Sequence, residues 1–141
     1  MTIKLEQVLD AIETADDAFT YFYDTQTGET VFLSDPLITG ESYKELEELI
    51  ESSGDRFLRF PTKYDIHEYS IMENFVCSLP IGAARQELAN AICGKGAFRR
   101  FKSGIRYHRL EQQWYHYRDQ AYREIAIRWC RDEGIEYTEE N

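Results

Sequence analysis

Gly94-Lys95-Gly96-Ala97-Phe98-Arg99-Arg100-Phe101-Lys102 is the stretch that decides how the second half of this 141-residue chain folds. Glycine readily adopts the left-handed backbone conformation that follows a helix, so two glycines flanking one lysine are typical of a junction between two helices. The pattern is not a P-loop, because the consensus Gly-x-x-x-x-Gly-Lys-Ser/Thr is absent. We therefore predict one helix over residues 83–93 and a second over residues 97–108, with Gly104 weakening the second.

The junction lies in a basic window of an acidic chain. Residues 88–110 contain no Asp or Glu, whereas six of them are Lys or Arg. Residues 1–55 carry a net charge of −12, residues 56–131 carry +7 and residues 132–141 carry −5, within a total of −10. The overall acidity argues against non-specific coating of DNA, because the field of the whole protein repels phosphate. The window is still a surface for an anion or an acidic partner, unless the acidic ends of the same chain cover it.

The amino-terminal residues predict a helix followed by a hairpin. Apolar side chains recur at helical spacing over residues 3–14, and Thr2 is suited to be the N-cap. Two segments rich in aromatic and β-branched residues, 18–23 and 30–33, are separated by turn-forming residues. This arrangement is typical of an antiparallel hairpin.

A second helix and a third strand follow the hairpin. The helix opens at Ser42 and stops at Gly54, and residues 57–60 form a short strand that ends at Pro61. The helix is acidic, and its predicted inner face consists of Leu46, Leu49 and Ile50.

The rest of the chain reads as helical. Asp65 is placed to cap a helix that runs to about residue 78, and residues 111–132 predict the longest helix, which ends before Gly134. The resulting class is α+β, with an N-terminal helix and small antiparallel sheet (a hairpin plus one strand) followed by a mostly α-helical C-terminal half. We expect a single domain, residues 1–141, made of a helix–hairpin–helix–strand part (1–61), a helical part (62–134) and an acidic tail (135–141).

The composition favours a soluble cytoplasmic protein. Apolar residues make up 43% of the chain, which is enough for a core, yet no apolar run approaches the roughly 20 residues of a membrane helix. The first residues lack the features of a signal peptide. Three widely spaced cysteines argue against a disulfide framework and predict buried free thiols, with Cys93 the one candidate for a reactive thiol.

A basic stripe is predicted along the second of the two junction helices. At 100° per residue its members fall within an arc of about 80°, and Phe98 and Phe101 fall on the adjoining arc, facing the core. The members of the stripe are Arg99, Lys102, Arg106 and Arg109.

The start of that helix is a second predicted feature. Lys95 and the backbone N–H groups of Gly96 and Ala97 lie where a helix attracts anions. Two interpretations remain open: a binding surface, or a helix cap with solvated charge beside it.

Arg118 occupies an unusual position on the longest helix. It falls in the middle of a face that holds Trp114 and Trp129, and a buried guanidinium requires an anionic or carbonyl partner. Either it forms a structural bridge to a carboxylate such as Glu73, or it reaches a pocket and receives a carboxylate or phosphate of a ligand.

Other sites of chemistry are not indicated. The three histidines lack metal-ligand spacing, and no nucleophile elbow is present. We predict no catalytic residue, no metal and no cofactor.

The chain resembles a bacterial family of unassigned function, uncharacterised protein family 0158. The most specific part of the resemblance is the string of residues 94–102. The resemblance covers most of the chain and implies a small soluble bacterial protein, without an established activity, cofactor or catalytic residue. Its other motifs are Phe57 to Pro61, Ile71-Met72-Glu73, Leu79-Pro80, Arg85, Trp114-Tyr115, Arg118, Ile125-Ala126 and Trp129.

The favoured hypothesis is a non-catalytic binding or regulatory module that uses the basic helix edge to bind an anionic ligand, a nucleic acid or an acidic protein partner. The alternatives are an enzyme acting on a phosphate- or carboxylate-bearing substrate, with Arg118 and Lys95 in one pocket, and a structural protein whose basic window docks on the acidic half of another copy. No membrane is expected as a partner, and the sequence leaves the oligomeric state open. The predicted binding residues are Lys95, Gly96, Arg99, Arg100, Lys102, Arg106 and Arg118.

Overall fold

The computed structural model describes residues 2–16, 18–34 and 44–139. The chain forms two compact units: Met1–Ile66 with Tyr122–Asn141, called here the terminal unit, and His67–Ala121, called here the central unit. Helices accompany a three-stranded antiparallel sheet and a parallel pair of strands, so the predicted α+β class is confirmed. That residues 1–141 form a single domain stays a prediction.

A parallel strand pair joins the two ends of the chain within the terminal unit. β1, Thr2–Lys4, pairs with β5, Glu136–Thr138, and helix α1, Leu5–Glu13, follows β1 directly. The N-cap of α1 is Lys4, which makes no side-chain cap hydrogen bond. The prediction of Thr2 as the cap is therefore wrong. The strand that pairs with Thr2 lies at the other end of the chain, where local periodicity carries no information about it.

The predicted hairpin and third strand are confirmed. β2, Phe19–Asp24, lies between β3, Thr30–Ser34, and β4, Phe57–Arg59, and both pairings are antiparallel. Phe60 follows β4 and is almost completely buried, with its ring centroid 4.9 Å from that of Trp129. These rings form part of the core of the terminal unit.

The acidic helix α2 spans Lys44–Ser52, and a short 3-10 helix, Gly54–Arg56, follows it. The predicted start at Ser42 lies outside the described residues. The predicted inner face is wrong, because no residue of α2 is buried and Leu49 is 41% exposed.

The helix predicted to begin at Asp65 is divided in two. α3 spans Lys63–Ile66 and α4 spans Glu68–Ser78, and between them His67 has a left-handed backbone with φ of 52°. The cap of α3 is Thr62, not Asp65. The Asp65 carboxylate accepts hydrogen bonds from the backbone N–H and the hydroxyl of Thr62, both at 2.9 Å, and the Thr62 hydroxyl accepts one from the Asp65 N–H at 3.3 Å. This reciprocal arrangement is a capping box, which holds the aspartate inside the first turn.

Three further helices agree with their predicted bounds to within two residues. They are α5, Ala83–Ala91, α6, Ala97–Tyr107, and α7, Glu111–Asp132. Gly104 of α6 is explained by packing, since a Cβ at that position would lie 2.6 Å from Cδ2 of Leu88 on α5. The glycine lets the two helices approach closely at that point.

An aromatic cluster forms the core of the central unit. The ring of Phe101 lies 4.8 Å from that of Trp114, and Phe75 lies 5.3 Å from Trp114, in edge-to-face geometry. Such pairs add about 0.5–1.5 kcal/mol beyond the burial of their surface. The cluster therefore holds α4, α6 and the first part of α7 together.

The cysteines differ from the prediction of buried thiols. Cys130 is buried, and burial raises the pKa of its thiol, but Cys77 and Cys93 are exposed. A helix combining the length and the apolar character that a bilayer demands does not occur among residues 2–16, 18–34 and 44–139.

Candidate functional site

The junction between α5 and α6 is built by two glycines and one arginine. Gly94 and Gly96 both have φ of 79°, as the sequence predicts for residues that end one helix and start the next. The Arg100 side chain folds back over the junction and donates hydrogen bonds to the carbonyls of Ala91 (2.9 Å), Cys93 (2.6 Å) and Lys95. A Cβ at Gly96 would lie 2.9 Å from Arg100 Nη1, so a side chain there would displace the end of Arg100, while the positive φ favours glycine by conformation.

Arg100 therefore serves the junction itself. Its guanidinium covers the Ala91 carbonyl, which the end of α5 leaves without a helical partner, and two carbonyls of the junction itself. That Arg100 and Gly96 also bind a ligand stays a prediction.

The remaining basic residues of α6 form an exposed stripe. Arg99, Lys102 and Arg106 are exposed and lie within an arc of about 60° on the helix. Arg109 does not continue the stripe, because α6 ends at Tyr107 and Arg109 has a left-handed backbone with φ of 55°. That part of the prediction is wrong.

The stripe is not neutralised by acidic groups of the described chain. None of the ion pairs among residues 2–16, 18–34 and 44–139 involves Lys95, Arg99, Lys102 or Arg106. Near the stripe, the carboxylate of Glu87 pairs with a histidine instead, and its Oε2 lies 2.6 Å from Nε2 of His108. The basic side chains of the stripe thus face solvent as charged groups.

A cavity of about 240 Å³ lies beside the stripe and within the central unit, and we call it the basic cleft. Its floor is apolar and consists of the buried side chains of Met72, Phe101, Ile105 and Trp114.

Two aromatic rings of the cleft are half-exposed. Phe98 is 48% exposed and Tyr115 is 50% exposed. Phe98 was expected to pack inward, and this expectation is wrong. Two rings that face solvent beside an apolar floor favour an apolar ligand group.

Charged side chains of both signs line the cleft. Three are cations, Lys102, Arg106 and Arg118, and two are carboxylates, Glu68 and Glu111. Three of the predicted binding residues are thus brought together, whereas Lys95 and Arg99 are not among the lining residues. The carboxylates were missed by sequence reasoning, although the spacing of Glu111, Tyr115 and Arg118 places them on one side of α7.

Arg118 is only partly buried. Its side chain is 30% exposed, with Nη2 at 3.6 Å from Oδ1 of Asp119 and the guanidinium carbon 5.2 Å from the centre of the Tyr115 ring. The bridge to Glu73 stays a prediction. Arg118 also lines the basic cleft, and that it receives a carboxylate or phosphate of a ligand there stays a prediction.

A second cavity, of about 430 Å³, lies in the terminal unit. Its arginines, Arg59 and Arg128, face three carboxylates, and hydrogen bonds from Thr62 hold the pKa of one of them, Asp65, below its usual range. Because the carboxylates outnumber the arginines, this cavity suits an anion less well than the basic cleft. Sequence reasoning did not find it. Its other two carboxylates are Asp132 and Glu133.

The described residues hold no group of three or more His, Cys, Asp or Glu side chains placed to bind a metal ion. In the central unit, the basic cleft places cations and carboxylates beside an apolar floor.

Comparison with known proteins agrees with the resemblance noted in the sequence. A family model described as uncharacterised protein family (UPF0158) matches residues 1–141. The chain is similar to the UPF0158 protein PA5073 of Pseudomonas aeruginosa, with 27% identity over an alignment that covers 96% of this chain and 86% of that protein. No solved structure gives a significant match. Since the family model covers the whole chain, the protein belongs to the uncharacterised protein family UPF0158.

Proposed function

We propose that this protein is a binding module whose basic cleft and stripe receive an acidic segment of a protein partner. One observation carries the proposal: unpaired basic side chains and an apolar cleft lie on the same helix. Arg99, Lys102 and Arg106 of α6 make no ion pair within the described chain, and α6 borders the cleft. An acidic segment would pair with the stripe while its apolar side chain enters between Phe98 and Tyr115.

A protein segment fits the cleft better than a nucleic acid does. Glu68 and Glu111 lie in the cleft and repel any anion, but a peptide can place a basic residue against them beside its acidic ones, which a nucleic acid cannot do. The net charge of −10 also opposes the approach of a polyanion. The cleft therefore favours a partner that presents both signs of charge beside an apolar side chain.

The proposal is tested with a labelled synthetic peptide of Glu, Leu and Lys residues that carries a net negative charge, titrated with the protein and followed by fluorescence anisotropy. We expect the double variant Lys102→Ala, Arg106→Ala to weaken binding about 5- to 30-fold, since an exposed ion pair contributes up to about 1 kcal/mol. Raising the salt from about 0.02 M to about 0.5 M should weaken wild-type binding more than it weakens binding by the variant.

The matched control is the double variant Lys4→Ala, Arg131→Ala, which removes two exposed basic side chains of the terminal unit. The proposal fails if the peptide does not bind at low salt, or if the control weakens binding as much as the cleft variant does. A single-stranded oligonucleotide of equal charge that bound more tightly than the peptide would exclude a protein segment as the preferred partner.

A further inference from the structure

We infer that the acidic segment received by the basic cleft is helix α2, Lys44–Ser52, of a second copy of this chain. The inference rests on the proposed function of the cleft and names its partner. Its basis is that the chain carries both a helix with exposed acidic and apolar side chains and a basic cleft with half-exposed aromatic rings.

Helix α2 has the chemistry that the cleft requires. Its apolar side chains, Leu46, Leu49 and Ile50, fall within an arc of about 100°, yet none of them is buried and Leu49 is 41% exposed. A helix normally covers such a stripe.

The acidic side chains of α2 are also available. In the described part of the chain, no ion pair involves them. Their charge is only partly offset within the helix, since Lys44 is its one basic residue beside four glutamates. They are Glu45, Glu47, Glu48 and Glu51.

The spacing of the charges matches on the two helices. Glu47 and Glu51 are four residues apart and lie about 40° from each other, on the Ile50 side of the apolar stripe, about 60° and 100° around the helix from Ile50. Lys102 and Arg106 are also four residues apart on one side of α6. Both pairs thus span about 6 Å along their helix axes, so two helices lying side by side bring both acids against both bases.

This contact also covers apolar surface on both partners. With the charged edges paired, the stripe that contains Leu49 faces the cleft between Phe98 and Tyr115. Covering these half-exposed side chains adds about 25 cal/mol for each Å² of apolar surface removed from water. The overall repulsion between two acidic copies is screened beyond about 10 Å at 0.1 M salt, whereas the pairs in contact are screened less.

Charge reversal tests the inference directly. One variant, Lys102→Glu with Arg106→Glu, makes the cleft acidic, and the other, Glu47→Lys with Glu51→Lys, makes the helix basic. At about 0.1 M salt we expect the wild type to associate in sedimentation equilibrium, and each variant alone to be monomeric because helix and cleft then carry the same sign. An equimolar mixture of the two variants should associate again, since each helix then meets a cleft of opposite sign.

The control is Glu48→Lys, which changes the same charge about 100° around the helix from Glu47, away from the Ile50 side that faces the cleft, and should leave association unchanged, in contrast to Glu47→Lys. Circular dichroism of each variant establishes that it is folded before its mass is measured. Misfolding would not explain association restored in the mixture, because mixing two misfolded proteins would not restore the ability of either to associate.

The inference is wrong if the wild type is monomeric at protein concentrations up to about 100 µM, or if the mixture of variants stays monomeric. It is also wrong if the wild type associates and both variants associate equally well. The proposed function survives any of these results when the synthetic acidic peptide still binds the cleft, and fails by itself when that peptide does not bind.

Discussion

Asp24 and Arg56 tie the turn of the hairpin to the 3-10 helix that follows α2. Arg56 donates from Nε to Oδ1 of Asp24 at 3.0 Å and from Nη2 to Oδ2 at 2.9 Å, and the Gln26 N–H donates to Oδ1 at 2.9 Å. The carboxylate is nearly inaccessible, with 6% of its side chain exposed, against 25% for Arg56. The hydrogen bonds from Arg56 hold the pKa of Asp24 well below its usual range, despite the opposing effect of burial.

Replacing Arg56 by Met should therefore destabilise the terminal unit. Breaking a buried pair from one side costs about 3–5 kcal/mol, because it leaves a charge without its partner. Arg56 is partly exposed and the Gln26 hydrogen bond remains, so we expect about 2–3 kcal/mol. Asp24→Asn keeps the shape and loses the charge, and should cost about 1–2 kcal/mol, the difference between charged and neutral hydrogen bonds.

The pH dependence follows from the lowered pKa of Asp24. A carboxylate whose folded pKa lies below the unfolded value of about 3.9 stabilises the fold above that pH, and the contribution is lost as the pH falls toward the folded pKa. The free energy of unfolding of the wild type should thus exceed that of Asp24→Asn at pH 6, and the difference should shrink between about pH 4 and pH 2.5. Other carboxylates titrate in both proteins and cancel in this difference.

Urea unfolding followed by circular dichroism measures these quantities, with Arg131→Met as the control for removing an exposed arginine. The reasoning is refuted if Arg56→Met costs less than about 1 kcal/mol more than the control, or if the difference between wild type and Asp24→Asn is the same at pH 6 and pH 2.5.

Two further predictions concern the central unit. Gly104→Ala should lower the free energy of unfolding by about 1–2 kcal/mol even though alanine favours a helix, because its Cβ would lie 2.6 Å from Leu88 Cδ2. Urea unfolding should show no such loss for Ser103→Ala, which changes an exposed neighbour. An unchanged or raised stability of Gly104→Ala would contradict the packing explanation. Arg100→Gln removes the guanidinium that covers the carbonyls of Ala91, Cys93 and Lys95, and should lower the free energy of unfolding by about 1 kcal/mol and speed amide exchange at the start of α6. Arg99→Gln should change neither quantity. Equal losses in both variants would show that Arg100 has no special role at the junction.

Much of the fold was predictable because its signals are local. The hairpin follows from two strand-forming segments around a turn, and the bounds of α7 follow from an uninterrupted helical pattern that ends before Gly134. The start of α3 was misplaced for an equally local reason. Thr62 and Asp65 are both good capping residues, and only the reciprocal hydrogen bonds show which of them is the cap.

The candidate site was predictable in part. The exposed positions of Lys102 and Arg106 follow from the helical period of α6, but the cleft beside them depends on α4 and α7 as well. Phe98 shows the difference, since its arc on α6 predicts burial while the neighbouring helices leave it 48% exposed.

The sequence by itself determined the junction at Gly94 and Gly96, because a left-handed backbone is a property of single residues and does not depend on distant contacts. It also determined that a basic helix lies in an acidic chain. Only the tertiary structure decided how the basic residues are divided: Arg100 turns back onto carbonyls, while Lys102 and Arg106 border an apolar cleft. The physical reason is that the charge of an arginine is fixed by its residue type, so two arginines next to each other in the sequence look alike. Their hydrogen bonds and burial depend instead on which groups they meet in the folded chain.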